Sequence, residues 1–215
     1  MILTLLFFVG PLFWFSIHQF LVKILRDYTL ACHGISIIQS LLTCSVGLTT
    51  LLSIKNNSLD LITPNNTTSQ FLNMYCAFQT SYFWLDIYFM ASKIKSTKTR
   101  QNKNPGCQKP ETTIILHHIF MGLLLPPVTL RLRSNKGDFF VACFMMFEAS
   151  APFTNFRAIL SHVGRKSSKI YLVNGVLMLV TFFASRIYSP YAFGFKTEWN
   201  LVPNITHITH ITHTC

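Results

Sequence analysis

Three long stretches without a formally charged side chain constrain this 215-residue chain more than any other feature. They cover residues 1–22, 28–54 and 112–130. Each is long enough to cross the hydrocarbon core of a bilayer as an α-helix, which takes about 18 residues or more. Because lipid offers no hydrogen-bond partners to the backbone, such stretches are helical when they span a membrane. The sequence therefore predicts membrane-embedded helices.

Three further apolar stretches carry one charged residue each: residues 70–92 with Asp86, 139–156 with Glu148, and 170–195 with Arg186. Half of all residues are apolar and only 12% are charged, which is unusual for a water-soluble domain. We predict an all-α fold, a polytopic transmembrane helical bundle of about six spans, with seven as the alternative. The first stretch is expected to stay as a span, because it lacks the basic start of a signal peptide and continues past Trp14 and His18.

The basic residues predict a membrane topology. The net charge is +11, and most lysines and arginines fall in short loops between the apolar stretches. With six spans, eleven of them share the side of segment 93–111 and five lie on the opposite side, so we assign that segment to the cytosol. Glycosylation sequons begin at Asn56, Asn65 and Asn66 in a loop predicted to be lumenal or external. Membrane topology thus explains the positive net charge without nucleic-acid binding. As an alternative role, the basic segment 93–111 would bind anionic lipid headgroups.

The cysteines and the tail predict no cofactor and no metal centre. The six cysteines are scattered without paired spacing, which indicates neither a disulfide framework nor a zinc site. Residues 196–215 end in a tandem Ile-Thr-His repeat, in which the histidines recur every three residues. Such spacing can chelate a metal, but no acidic residue follows Asn200, so the tail is expected to be disordered.

Several ionisable residues lie inside the predicted spans, where a central charge costs about 2.5–3.5 kcal/mol on insertion scales. We expect the helices to bundle around a polar interior that gathers these groups. Asn155 lies seven residues after Glu148, on the same helical stripe. The ionisable residues are His33, Asp86, His117, His118, Glu148 and Arg186, with Arg157 at the end of a span.

A histidine beside a carboxylate in a dry site can act as a general base or as an acyl-accepting nucleophile. His117 and His118 are adjacent, so their side chains diverge by about 100° and at most one faces a given atom. Asp86 or Glu148 would supply the acid. Alternatively, these groups only hold helices together, at about 0.6 kcal/mol for each interhelical hydrogen bond. Pro126-Pro127 and Pro152 are predicted to end or bend helices beside these polar residues.

The stretch LHHIFMGLLLPPVTLRLRSNKGDFFVACFMMFEASAPFTNFRAIL, followed by KIYLVNGVLMLVTFFASRIY, resembles the TLC domain family. Within that family it is most similar to the branch of TLC domain-containing protein 3, also called family with sequence similarity 57. We therefore divide the chain into residues 1–27, a first span with a short basic loop; residues 28–195, the TLC domain; and the tail, 196–215. The resemblance implies a helical bundle around a lipid-accessible cavity in the endoplasmic reticulum membrane, with plasma or Golgi membrane as alternatives.

Ceramide synthases of this family transfer an acyl group from acyl-CoA to a sphingoid base. His117 and His118 match the opening His pair of their motif, and Glu148 falls on its final acid. Phe144 and Met145 stand where the motif has a second His-Asp, and Met121 replaces a threonine.

The resemblance implies a membrane protein of lipid homeostasis, and in its enzymatic version a sphingosine N-acyltransferase-like enzyme with catalytic His117, His118 and Glu148. The remaining polar residues of the spans would bind substrate or connect helices: Asp86, Asn155, Arg157, Arg186 and His33. The alternative is a lipid-binding or regulatory membrane protein without turnover, which the missing His-Asp favours. A cargo-handling role, as in other TLC relatives, also stays open.

Overall fold

Helices make up nearly all of the chain that the computed structural model describes, namely residues 2–56, 66–101, 112–134 and 136–188. Those ranges contain no strand, which confirms the all-α prediction. The α-helices among them are α1 Ile2–Leu25, α2 Tyr28–Asn56, α3 Asn66–Gln101, α4 Thr112–Pro127, α5 Asp138–Met146, α6 Ala151–His162 and α7 Lys169–Phe183.

Four stretches of these helices are long and apolar enough to cross a membrane: Phe8–Leu25, Tyr28–Ile54, Asp138–His162 and Lys169–Ile187. α4 supplies a shorter apolar stretch, Ile115–Pro127. The chain is therefore a multi-pass membrane protein, as predicted. Two of the six predicted spans, the one with Asp86 and the one with the His pair, are not among these four stretches.

α3 misses that apolarity because several of its side chains within and beside the predicted span are polar, and these are buried. Its 36 residues extend about 54 Å at 1.5 Å per residue, well beyond a hydrocarbon core of about 30 Å. The sequence predicted a span over residues 70–92, and the helix continues past both ends. Its buried polar side chains are Ser69, Asn73, Gln79, Thr80, Ser81 and Asp86.

The chain divides into two compact units, and the first consists of residues 1–39 and 69–135. Its apolar core contains Trp14 from α1, Ile35 from α2, Met121 from α4 and the α3 pair Tyr82 and Phe83. Aromatic rings from α1 and α3 meet there, with 5.3 Å between the ring centres of Trp14 and Tyr82.

Two local features position α1 and the start of α2 in this unit. A Cβ on Gly10 would collide with the side chain of Ser81, so glycine lets α1 approach α3 closely. Past the end of α1, Oδ1 of Asp27 accepts hydrogen bonds from the backbone N–H groups of Thr29 (2.7 Å) and Leu30 (3.1 Å). This capping satisfies two amides of the first turn of α2.

The second unit consists of residues 40–68 and 136–215. Its core contains Leu51, Phe139, Ala142 and Cys143. α2 passes α5 closely at Gly47, where a Cβ would lie 2.9 Å from the carbonyl oxygen of Ala142. These small residues allow the two helix backbones to pack directly.

The type of helix changes beside the prolines that the sequence predicted to end or bend helices. α4 ends at Pro127 and continues as a π-helical turn, Val128–Leu132. Pro152 is the second residue of α6, which follows a short 3-10 segment, Phe147–Ser150. Glu148 lies in that segment. Residues 57–65, 102–111 and 189–215, which include the Ile-Thr-His tail, lie outside the described residues.

Candidate functional site

The centre of the candidate site is a contact between α3 and α4 in the first unit. Nδ1 of His118 lies 2.8 Å from Oδ2 of Asp86. The Asp86 side chain is 9% exposed and that of His118 is 17% exposed. The approach to Nδ1 does not meet hydrogen-bond geometry, so the contact is a close electrostatic one. A carboxylate that would be costly inside a bilayer thus lies against a group that can carry a positive charge.

The two adjacent histidines point in different directions, as their positions on one helix require. His118 is partly buried and meets the edge of Phe83, with ring centres 5.4 Å apart. His117 is exposed, and its ring centre lies 5.7 Å from that of His118. Of the pair, the histidine that the structure brings to Asp86 is therefore His118.

The Asp86 face of α3 continues one turn earlier with Tyr82, as the four-residue spacing predicts. Tyr82 is buried, and its hydroxyl lies 2.8 Å from Oγ of Ser36 on α2. Three helices of the first unit, α2, α3 and α4, thus contribute polar groups to one buried strip.

α1 adds a residue that the sequence reasoning did not assign to the site. His18 is fully buried and stacks on Phe89, with ring centres 3.9 Å apart. Its Nε2 lies 3.6 Å from Sγ of Cys32, and Asp86 is near enough to interact with it electrostatically. The signal that would have found it is the spacing of Gly10, Trp14 and His18, which repeats every four residues and places all three on one face.

The other predicted site residues lie in the second unit, apart from His33. Glu148 is partly buried and interacts electrostatically with Cys44. Asn155 donates a hydrogen bond to the carbonyl of Ala151 in its own helix. His33 is partly buried on α2 in the first unit. Whether Glu148 orients the His pair stays a prediction.

The two arginines of the spans lie on aromatic rings. The Arg157 guanidinium lies 3.8 Å from the ring centre of Tyr171 and donates a 3.2 Å hydrogen bond to the carbonyl of the same residue. Arg186 is exposed and lies 4.3 Å from the ring centre of Phe182. Both contacts let a cation rest against an aromatic face. Among the described residues, no three His, Cys, Asp or Glu side chains are grouped as a metal site would require.

The fold and this site define a multi-pass helical membrane protein with a histidine and a carboxylate paired between two of its helices. Comparison with protein families agrees, because the TLC domain model matches residues 30–209. The chain belongs to the TLC domain family, and it is a membrane protein related to lipid metabolism or homeostasis. No solved structure matches it.

Proposed function

We propose that this chain is a ceramide synthase-like N-acyltransferase of the endoplasmic reticulum, which transfers an acyl group from acyl-CoA to a sphingoid base. The observation that supports this most directly is the 2.8 Å contact between His118 and Asp86. A carboxylate against one imidazole nitrogen selects the tautomer and stabilises the imidazolium that forms during proton transfer.

In this proposal Nε2 of His118 takes the proton, because Nδ1 faces Asp86. The amine of the sphingoid base attacks the thioester carbonyl of acyl-CoA, and Nε2 removes a proton from the nitrogen. The new C–N bond forms as the C–S bond breaks, and the imidazolium returns the proton to the departing CoA thiolate. A slight rotation of the ring on substrate binding would align Nδ1 with Asp86, since catalytic hydrogen bonds often tighten only in the substrate complex.

In this proposal Asp86 orients the imidazole, a role for which the resemblance to ceramide synthases favours Glu148. Phe144 and Met145, at the positions of the second His-Asp of the synthase motif, leave that part of the motif apolar, and Met145 is 3% exposed. Asp86 from α3 would therefore replace the aspartate that this chain lacks at position 145. We further propose that the chain belongs to the TLC domain-containing protein 3 branch of the family. We also expect the basic segment 93–111 to attract the CoA phosphates from the cytosolic side.

The experiment supplies labelled acyl-CoA and a sphingoid base to the protein purified in nanodiscs. His118→Ala is expected to lower product formation by about 10²- to 10⁴-fold, the usual contribution of a general base. His117→Ala is the matched control, because it removes the neighbouring exposed imidazole. Asp86→Asn should fall between the two, and Glu148→Gln tests the second acid.

Equal losses in the His117 and His118 variants would contradict the assignment of the base to His118. The apolar Phe144 and Met145 favour a second candidate, a lipid-binding or regulatory protein without turnover. For that function, the wild-type protein would form no N-acyl product and would retain co-purified lipid in both variants.

A further inference from the structure

Two ring nitrogens on the buried face of α1 have no hydrogen-bond partner in the described part of the chain. They are Nε1 of Trp14 and Nδ1 of His18. Both side chains have 0% exposure. They lie four residues apart, so one helical turn separates two polar atoms on the same face.

Such atoms are costly at this position. The stretch Phe8–Leu25 is apolar and long enough to cross the membrane, and both residues lie within it. A buried polar group without a partner costs about 1–3 kcal/mol, and hydrocarbon offers no replacement for water. By contrast, Ser16, between the two, donates a 2.8 Å hydrogen bond to the carbonyl of Leu12 within its own helix. Among the described residues of α1, the buried side-chain nitrogens without a partner are those of Trp14 and His18, which share one face.

The chemistry of the two nitrogens limits what they can bind. The indole N–H of Trp14 only donates, so a ligand must offer an acceptor. Nε2 of His18 is directed to the thiol of Cys32, which leaves Nδ1 to donate or to accept according to the tautomer. A hydroxyl group satisfies both nitrogens in either case.

The surroundings exclude a charged ligand group. Aromatic rings surround the two side chains: Phe78 and Tyr82 lie against Trp14, and Phe89 and Tyr28 against His18. Asp86 also interacts electrostatically with His18, and its negative charge would repel a phosphate or a carboxylate. An ammonium group offers no acceptor to the indole N–H of Trp14, so the ligand group is neutral.

We propose that Trp14 and His18 bind a neutral hydroxyl group of a membrane lipid, on the same polar strip that holds Asp86 and His118. These two residues precede the segment 30–209 that matches the TLC domain, so α1 would add a lipid subsite to the domain. The proposal rests on the proposed acyl transfer only where it takes the bound lipid to be a sphingoid base, since binding itself needs no turnover.

The test uses a photoactivatable sphinganine and two counterparts, each lacking one hydroxyl, with the full chain in nanodiscs. On wild-type protein, one of the deoxy counterparts should label α1 with a half-saturation about three- to tenfold weaker, the effect of one lost hydrogen bond. This comparison needs no variant, so it stands even if a substitution disturbs folding. Equal binding of all three lipids would overturn the proposal.

The variants identify the atoms. Trp14→Phe and His18→Phe keep an aromatic ring and remove the nitrogens, and each should weaken labelling by about three- to tenfold. His18→Asn retains a polar atom near the Nδ1 position and should bind better than His18→Gln, whose amide lies nearer that of Nε2. Ser16→Ala is the matched control and should bind like wild type. Unchanged labelling in both phenylalanine variants would show that the rings serve packing alone and would overturn the site.

Acyl transfer is measured on the same samples and separates the two proposals. His118→Ala should lower transfer by about 10²- to 10⁴-fold and leave labelling of α1 intact. If wild-type protein binds the lipid through Trp14 and His18 but forms no product, the acyltransferase proposal fails and the lipid subsite stands. If product forms without any effect of the hydroxyl groups or of the two ring variants, the subsite fails alone.

Discussion

The contact between His118 and Asp86 joins two helices that are distant in sequence, and its strength depends on both partners. Removing one partner leaves the other in a poorly hydrated place, which is more destabilising than the loss of the contact itself. The contact therefore serves the stability of the first unit as well as the proposed chemistry. These two roles can be measured separately, because folding does not require substrate.

We predict a favourable coupling between Asp86 and His118 of about 0.5–3 kcal/mol in a double-mutant cycle of unfolding free energies. The cycle compares Asp86→Ala, His118→Ala and the double variant with wild type, by thermal or denaturant unfolding in detergent. The physical reason is that each single change leaves one polar group unpartnered inside the first unit, whereas the double change leaves neither.

A second cycle with His117→Ala in place of His118→Ala is the control, since His117 is exposed. Its coupling to Asp86 should stay below about 0.5 kcal/mol, the range of independent sites. Equal coupling energies in the two cycles would mean that the 2.8 Å contact between His118 and Asp86 contributes no more to stability than the neighbouring His117.

At the scale of helices, hydropathy predicted the positions of the elements better than their ends. The first span was predicted to end at residue 22 and α1 ends at Leu25, while α3 extends well beyond residues 70–92. Hydropathy marks the part of a helix that matches lipid, but backbone hydrogen bonding continues into the interface. Pro126-Pro127 and Pro152 located changes of helix type more precisely, because a missing N–H acts on the local backbone, although Pro11 lies inside α1 without ending it.

The close approach of α1 to α3 leads to a prediction at this scale. Gly10→Ala should destabilise the first unit by about 1–3 kcal/mol, because its Cβ would overlap the side chain of Ser81. Adding Ser81→Gly removes the overlapping atoms and should restore much of that loss. The measurement is the unfolding free energy of the two variants and of wild type.

Gly34→Ala on α2 is the matched control, since its nearest neighbour is a terminal carbon of Leu21 at 3.4 Å. It should cost little, because both positions are helical and alanine is the better helix former. If Gly10→Ala were as well tolerated as Gly34→Ala, close packing of α1 on α3 would not contribute to stability.

For the whole molecule, charge predicts which loops face the cytosol. Six spans put Cys107, in the basic segment 93–111, on the cytosolic side and Cys215 on the opposite side. In sealed microsomes, a membrane-impermeant maleimide should label a variant that keeps only Cys107. A variant that keeps only Cys215 should be labelled only after permeabilisation.

The number of spans decides the outcome, because each added or removed span moves the C-terminal end to the other side. Six spans place three of them after Cys107. Labelling of both Cys107 and Cys215 in sealed microsomes would require an even number there and would favour the seven-span alternative. Labelling of Cys215 alone before permeabilisation would reverse the assignment of segment 93–111 to the cytosol.

The amino-acid order was enough to establish a helical multi-pass membrane protein, the approximate position of its helices, the changes of helix type beside Pro127 and Pro152, and the resemblance to the TLC family. All of these follow from length, apolarity and residue type along a single segment. The pairing of His118 with Asp86, the outward position of His117 and the burial of His18 required the folded chain. They depend on how far each helix is rotated and shifted against its neighbours, and no local pattern contains that information.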